Sequence, residues 1–379
     1  MKSHDTPRVA VVGVGTMGSQ VLHELTRRGV SATGFERFAP GHEHGAAGGE
    51  TRIFRVAYKE GGQYVPLLRR ARRAWEDLGD RAGVRLLEPC GALTIGLDGD
   101  PDVRTVMDVV QEWGLDVDRV GGERYPQHRL SADDVMLFDR EGGLLYPSRA
   151  VEHTARLAEK AGARVHTYTQ VTAIEDGGSG VTVHYRTADG DRHSARFDQA
   201  VVCTGPWIHT LVPELARDIE IRRAVLTWFA GGPEWAPSRF PVGIRRSGGE
   251  NIFSFFPDVG GGVKINLHVP KTVVDDPDRL TAEVEQAYVD RVTAAVDRCL
   301  PGLSAPPTAV RTYMEGYTGD NHGVIGRPSR QPNLLVMAGF SGHGFKLAPV
   351  FAHAAADLLL NDRTDVPVDH LAISRLFAG

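Results

Sequence analysis

The stretch Gly13-Val-Gly15-Thr16-Met17-Gly18 limits what this chain can fold into, because of what flanks it. Before it, Arg8-Val-Ala-Val-Val12 is a compact Val-rich run, the pattern of a parallel strand buried on both faces. After it, Ser19 to Arg28 has helical composition, with Val21, Leu22 and Leu25 on one side and Gly29 as the stop. A second apolar run, Ala32 to Phe35, ends at Glu36. Together they read as a βαβ unit in which each glycine has a task. Gly13 permits the tight turn, Gly15 lets a pyrophosphate approach the backbone, and Gly18 lets helix and strand pack closely. The helix N-terminus supplies free N–H groups and a positive dipole end. Glu36, eighteen residues past Gly18, is placed to accept from a ribose hydroxyl. The pattern predicts a bound adenine dinucleotide and does not separate FAD from NAD.

The chain has 379 residues, enough for two to three domains. Its net charge of −5 provides no general field for nucleic acid or anionic lipid, so neither is expected as a partner. Cys90, Cys203 and Cys299 are widely spaced and odd in number, which excludes a disulfide framework and a CxxC metal site; no metal is expected. No apolar run is long enough for a membrane span, and Met1 to Arg8 lacks a signal-peptide core. The reading is of a soluble, cytoplasmic protein, with a monomer favoured and the oligomeric state left open.

Further along, helices are predicted over Tyr64–Leu78, Val103–Trp113, Ala150–Ala161, Thr281–Leu300 and Ala348–Leu360. Thr51 to Ala57 also has a basic, helical look. Strands are predicted over Cys90–Leu97, Arg164–Tyr168, Val181–Arg186, Gln199–Cys203, Ala224–Phe229, Asn251–Phe256, Val263–His268 and Leu334–Ala338. Dinucleotide-type pieces sit at the start, middle and end of the chain, which implies two interleaved domains. Two segments bear on which dinucleotide is bound. Gln199 to Trp207 is an apolar strand ending in Thr204-Gly205, which is also compatible with an ordinary core strand. Gly339-Phe-Ser-Gly342-His343-Gly344-Phe345-Lys346 links a strand to a helix and would aim N–H groups and a helix dipole at a ligand. A flavin needs such a device, because its N1–C2=O edge becomes negative on reduction.

On these motifs the chain resembles the sarcosine oxidase-like branch of the FAD-dependent amine oxidoreductases, the group of monomeric sarcosine oxidase and N-methyltryptophan oxidase. The matching pieces are Gly13 to Gly18 with Glu36, Gly49-Glu-Thr-Arg52-Ile-Phe-Arg55, Tyr64-Val-Pro-Leu, Val201 to Trp207, Gly260-Gly-Gly-Val-Lys264 and Ala338 to Lys346. The resemblance implies a mixed α/β fold, with a Rossmann-type FAD-binding domain interleaved with a substrate domain built on an antiparallel sheet. The expected division is 1–80, 145–215 and 318–379 for FAD, and 81–144 and 216–317 for substrate.

The resemblance also distributes roles. Lys264, which by itself reads as a solvated lysine opening a strand, would stand near flavin N5 and serve oxygen, since a fixed cation favours electron transfer to O2. Arg52 would lie beside the flavin ring. Arg55 and Lys346 would hold a substrate carboxylate, to which arginine's planar fork is suited. His343 either shapes the pocket or simply packs. The backbone of Val171 would contact adenine, and Arg37, Thr51, Thr204, Gly205, Trp207, Gly342, His343, Gly344, Phe345 and Lys346 complete the expected cofactor set.

Departures bear on substrate. Gly48 stands where the sarcosine oxidases carry an active-site histidine, and Ser254 where they place a tyrosine. Sarcosine becomes doubtful, and a bulkier secondary amine or cyclic imino acid more plausible, in a larger or differently shaped pocket. The family's tethering cysteine falls on Tyr313 or Arg311, and neither forms a thioether, so FAD is expected to be non-covalent; a histidyl link through His42 or His44 is the alternative. The expected activity is oxidation of a secondary amine or an N-substituted or cyclic amino acid, with hydride passing to flavin N5, an imine product, and O2 reduced to H2O2. The rivals are a same-fold dehydrogenase using another acceptor, a flavoprotein that has lost catalysis, and a nicotinamide dehydrogenase.

Overall fold

Val9, Ala10 and Val11 are fully buried because the strand Arg8–Val12 lies inside a sheet covered on both faces. The computed structural model describes residues 7–249 and 251–377, so most of the N-terminal segment lies outside the described residues. The sheet has six strands in the order Val324–Gly326, Leu334–Ala338, Gln199–Val202, Arg8–Val12, Ser31–Phe35 and Arg164–His166. All neighbours are parallel except the antiparallel edge pair of the first two. Val9 and Val11 face the helices Thr16–Arg27, Pro147–Lys160 and Ala348–Asn361. Ala10 and Val12 face a layer of three antiparallel strands, Gln170–Asp176, Val181–Arg186 and Arg192–Phe197. Each such valine contributes roughly 1.5–3 kcal/mol of burial, so both faces of the run must be apolar.

The first helix begins at Thr16, ahead of the predicted start, with Gly15 at its N-cap and no side chain closing the cap. Its first N–H groups are therefore free to meet a ligand. A Cβ on Gly18 would lie 1.7 Å from the Gly13 carbonyl oxygen, so only glycine allows this helix so close to the preceding turn.

A second sheet of eight strands is ordered Ser304–Thr318, Ile219–Ala230, Val263–Leu267, Ile252–Phe256, Val242–Arg246, Ala92–Leu97, Asp134–Asp139 and Val117–Arg119. It is antiparallel except where Val242–Arg246 runs parallel to Ala92–Leu97, so the expected antiparallel sheet is a mixed one. Its strands alternate with period two. Phe253 and Phe255, with Val263, Ile265 and Leu267, enter a core with Trp235, Phe240 and the helix Gln286–Cys299. Ser254, Phe256, Lys264, Asn266 and His268 line a cavity on the opposite face.

Two local expectations are corrected, and one strand lies where no element was predicted. Thr51–Ala57 contains a strand, Arg52–Phe54, paired with Gly143–Leu145, because seven residues cannot repay helix nucleation while a strand partner is at hand. The helix predicted from Thr281 starts at Gln286: Thr281 Oγ1 accepts the Glu283 N–H at 3.1 Å, a local bond that competes with the helix. Ser304–Thr318 is a strand despite Pro306 and Pro307, which an edge strand tolerates. Among the described residues, no helix is long and apolar enough to cross a membrane.

Candidate active site

Two clefts meet beneath the eight-stranded sheet. The first, about 1480 Å³ with its mouth, runs from the Gly13–Gly15 turn past Glu36 and Val171 to Thr204, Gly205 and Trp207, and on to Gly342, Gly344 and Phe345. The second, about 1790 Å³ with its open mouth included, lies between the sheet and Arg55, His343 and Lys346. Arg52, Glu315, Ser341, Gly342 and Phe345 line both.

The first cleft suits an adenine dinucleotide. A Cβ on Gly15 would meet no protein atom within 4 Å, so this glycine keeps open space beside free helix N–H groups. Glu36 accepts the N–H groups of Val14 and Phe38, both at 2.8 Å. Burial alone would raise its pKa, but His42 and these N–H groups outweigh that and lower it, leaving an ionised acceptor for ribose hydroxyls. Thr204 Oγ1, at the cleft wall, is buried without a hydrogen-bond partner among the described residues. Arg37 is tied to Asp278 at 2.7 and 3.1 Å, and Asp278 also accepts from Trp207 Nε1 at 2.7 Å. This clasp closes the rim from the far side of the chain. Gly18 and Thr51 do not line this cleft, and His343 and Lys346 face the second cavity instead.

Lys264 is 1% exposed. Its Nζ donates to the carbonyls of Gly49 at 2.6 Å and Thr51 at 2.7 Å, and lies 3.9 Å from the centre of the Phe256 ring. Gly49 and Glu50 have φ of 86° and 64°, the left-handed conformations that turn this segment beneath the lysine. Burial, then Arg52, pushes the Lys264 pKa well below the ordinary lysine range. Arg52 donates to the carbonyls of Thr51, Ala46 and Gly48 at 2.8, 2.7 and 2.6 Å, so backbone dipoles fix its position.

Arg55 and Lys346 converge on Tyr58. Lys346 Nζ donates to Tyr58 Oη at 3.2 Å, and the Arg55 guanidinium lies 5.2 Å from the Tyr58 ring centre and 3.4 Å from Glu60. Burial lowers the Lys346 pKa to about 7, against a smaller opposing pull from Glu60. His343 shares a 2.7 Å hydrogen bond with the Asn321 carbonyl through Nε2, while its buried Nδ1 has no partner among the described residues. Its pKa falls to about 4, through burial and then Lys346, so the ring is neutral: Nε2 carries the proton and Nδ1 is an acceptor.

The space beside Gly48 is filled. A Cβ there would lie 2.2 Å from the Tyr313 ring, and the Tyr313 hydroxyl donates to Glu43 at 2.9 Å. At the other departure, Ser254 Oγ and His268 Nε2 share a 2.9 Å hydrogen bond. Sequence reasoning missed Glu60, His268, Lys271, Glu315 and Tyr317, all in the second cavity. The alternation Tyr313-x-Glu315-x-Tyr317 was a usable sign of one strand face, hidden by the prolines upstream.

The comparisons with known proteins agree with this geometry. The FAD dependent oxidoreductase family matches residues 8–358. The chain belongs to that family. It is 31% identical to a monomeric sarcosine oxidase of Streptomyces avermitilis, over 98% of each chain. It is 28% identical to an N-methyl-L-tryptophan oxidase of Salmonella enteritidis, over 96% of this chain and 98% of that one. Its fold matches the open form of NikD, an unusual amino acid oxidase essential for nikkomycin biosynthesis, with TM-score 0.83 and 21% identity over 97% and 98% of the two chains. This family member is an FAD-dependent amine or amino acid oxidoreductase of the sarcosine oxidase type, and FAD is its cofactor.

Proposed function

We propose that this protein is an oxidase of a secondary amine or of an N-substituted or cyclic amino acid. The cleft from Gly13 and Gly15 to Gly342 and Gly344 would hold FAD, which when bound would supply a hydride acceptor at N5 for the carbon next to nitrogen and a two-electron donor to O2, the products being an imine that water hydrolyses and H2O2. The observation that carries the reading is the pairing of Arg55 and Lys346 at one end of a cavity whose roof holds the buried Lys264. A substrate carboxylate would bind the pair, as charge-assisted hydrogen bonds favour. Lys264 would serve oxygen, and the neutral ring of His343, beside Lys346, would shape the pocket wall. The domain division at 1–80, 145–215 and 318–379 against 81–144 and 216–317 belongs to the same proposal; it is supported by the six-stranded sheet drawing on the first set and the eight-stranded sheet on the second.

The test is a peroxide-release screen of the purified yellow protein over N-methyl amino acids, cyclic imino acids and larger secondary amines. Substrate-dependent peroxide supports the oxidase. Flavin that is bleached by substrate yet stays reduced in air selects a dehydrogenase with another acceptor.

A further inference from the structure

Beyond Arg55 and Lys346 the substrate cavity is lined by the apolar Leu226, Ile244, Phe256 and Val269 and, among them, by a small group of neutral polar side chains. Ser254 and Asn266 are direct cross-strand partners on the cavity face of the roof. His268, two residues past Asn266 on that face, is bonded to Ser254. The His268 ring is open to the cavity yet enclosed by surrounding protein, and burial, then Lys271 and Lys59, pushes its pKa down to about 4, so it is neutral. The half-buried Asn266 amide makes no side-chain hydrogen bond among the described residues, leaving both its donor and its acceptor side to the cavity.

The neighbouring charges are already matched. Glu315 accepts from Lys271 at 3.0 Å and from the Tyr317 hydroxyl at 2.8 Å. Lys59 is paired with Asp102 at 3.0 Å. This wall therefore offers a second carboxylate or ammonium no unmatched partner. An apolar group laid against it would strip water from Asn266, Ser254 and His268 and return no hydrogen bond. A hydroxyl both donates and accepts, and neighbouring hydroxyls match an amide beside a hydroxyl–imidazole pair.

We propose that the substrate is an amino acid bearing a neutral, hydroxylated chain, held by Asn266, Ser254 and His268 while its carboxylate sits on Arg55 and Lys346. This rests on the oxidase reading above and adds the substrate's chemical class. The shared chemistry is the hydroxylated chain, carried either on nitrogen, as in an N-polyhydroxyalkyl glycine, or on the side chain, as in N-methylserine.

The experiment compares kcat/KM for those two probes with N-methylglycine and N-methylleucine. In the wild type at least one hydroxylated probe should exceed N-methylleucine by about tenfold, the worth of one or two well-placed hydrogen bonds. Asn266→Leu should reduce that ratio by about the same factor. Ser254→Ala provides a second variant should Asn266→Leu lose FAD or fold poorly. The ratio, unlike a single rate, is not moved by a general loss of structure. If N-methylleucine is preferred in the wild type, or if neither variant moves the ratio, the inference is wrong and the reading as an oxidase stands. If no secondary amino acid of any class reduces the flavin, the oxidase reading fails and this inference fails with it.

Discussion

Burying a lysine amine, as at Lys264, is costly unless hydrogen bonds offset the desolvation. The carbonyls of Gly49 and Thr51 supply the bonds. If the charge serves oxygen, Lys264→Met should slow flavin reoxidation roughly a hundred- to a thousandfold, by analogy with removing one preorganised donor at a developing anion. Anaerobic reduction by substrate should change far less. Stopped-flow measurement of the two half-reactions checks this, and reoxidation at the wild-type rate would refute it. Lys346 gives a prediction in pH. Its pKa of about 7 means that the amine is protonated below neutrality and neutral above it. Affinity for a simple carboxylate inhibitor, followed by flavin absorbance, should therefore fall as pH rises through about 7. A bound carboxylate favours the ammonium, so the midpoint in the complex should lie higher than in the free enzyme. Lys346→Gln should flatten the profile, and an unchanged profile in that variant would assign the titration elsewhere.

At the scale of elements, the turn through Gly48 and Gly49 and the strand Ser304–Thr318 depend on each other. Tyr313 from the strand occupies the space beside Gly48, and a Cβ on Gly49 would lie 2.5 Å from Leu226. Gly49→Ala should cost about 1–2 kcal/mol from its left-handed φ alone, with more from the clash, read as a lower denaturation midpoint. It should also slow reoxidation, because Gly49 O holds Lys264 in place. The same strand bears on how FAD is held. Tyr313 and Arg311 cannot form a thioether. Cys90 lies at the turn before Ala92–Leu97, and Cys299 ends the helix Gln286–Cys299. Cys203 does line the cofactor cleft, but beside the Gly13 turn rather than where the two clefts meet, and burial raises its pKa against thiolate formation. Acid precipitation should release all the flavin into the supernatant, and colour left in the pellet would mean a covalent link.

For the whole molecule, the roof sheet carries an ion pair out of reach of water. Arg245 and Asp134 meet at 2.8 Å, with side chains 3% and 0% exposed, and Ser247 donates to the same carboxylate at 2.7 Å. Breaking such a pair from one side leaves an uncompensated charge, so Arg245→Met should destabilise the protein by about 3–5 kcal/mol. Thermal or urea unfolding of the FAD-loaded enzyme measures it; a shift within error would show that the site relaxes or hydrates.

Sequence alone determined the parts whose physics is local. Glycine spacing between a buried strand and an amphipathic helix is legible because each glycine answers a backbone demand at its own position, as Gly15 and Gly18 show. Lys264 and Lys346 were placed by resemblance; in Val263–Leu267 the alternation that separates a cavity face from a core face is itself visible in the chain. What the sequence did not disclose was non-local. Glu60, Glu315 and Lys271 are ordinary charged residues until the fold gathers them in one cavity. The Tyr313 ring fills the space at Gly48 across more than 260 residues of chain, and Asp278 clasps Arg37 across 241. Side-chain volume and charge pairing are set by neighbours in space, so only the tertiary structure decided the shape of the pocket and which of its charges remain free to meet a substrate.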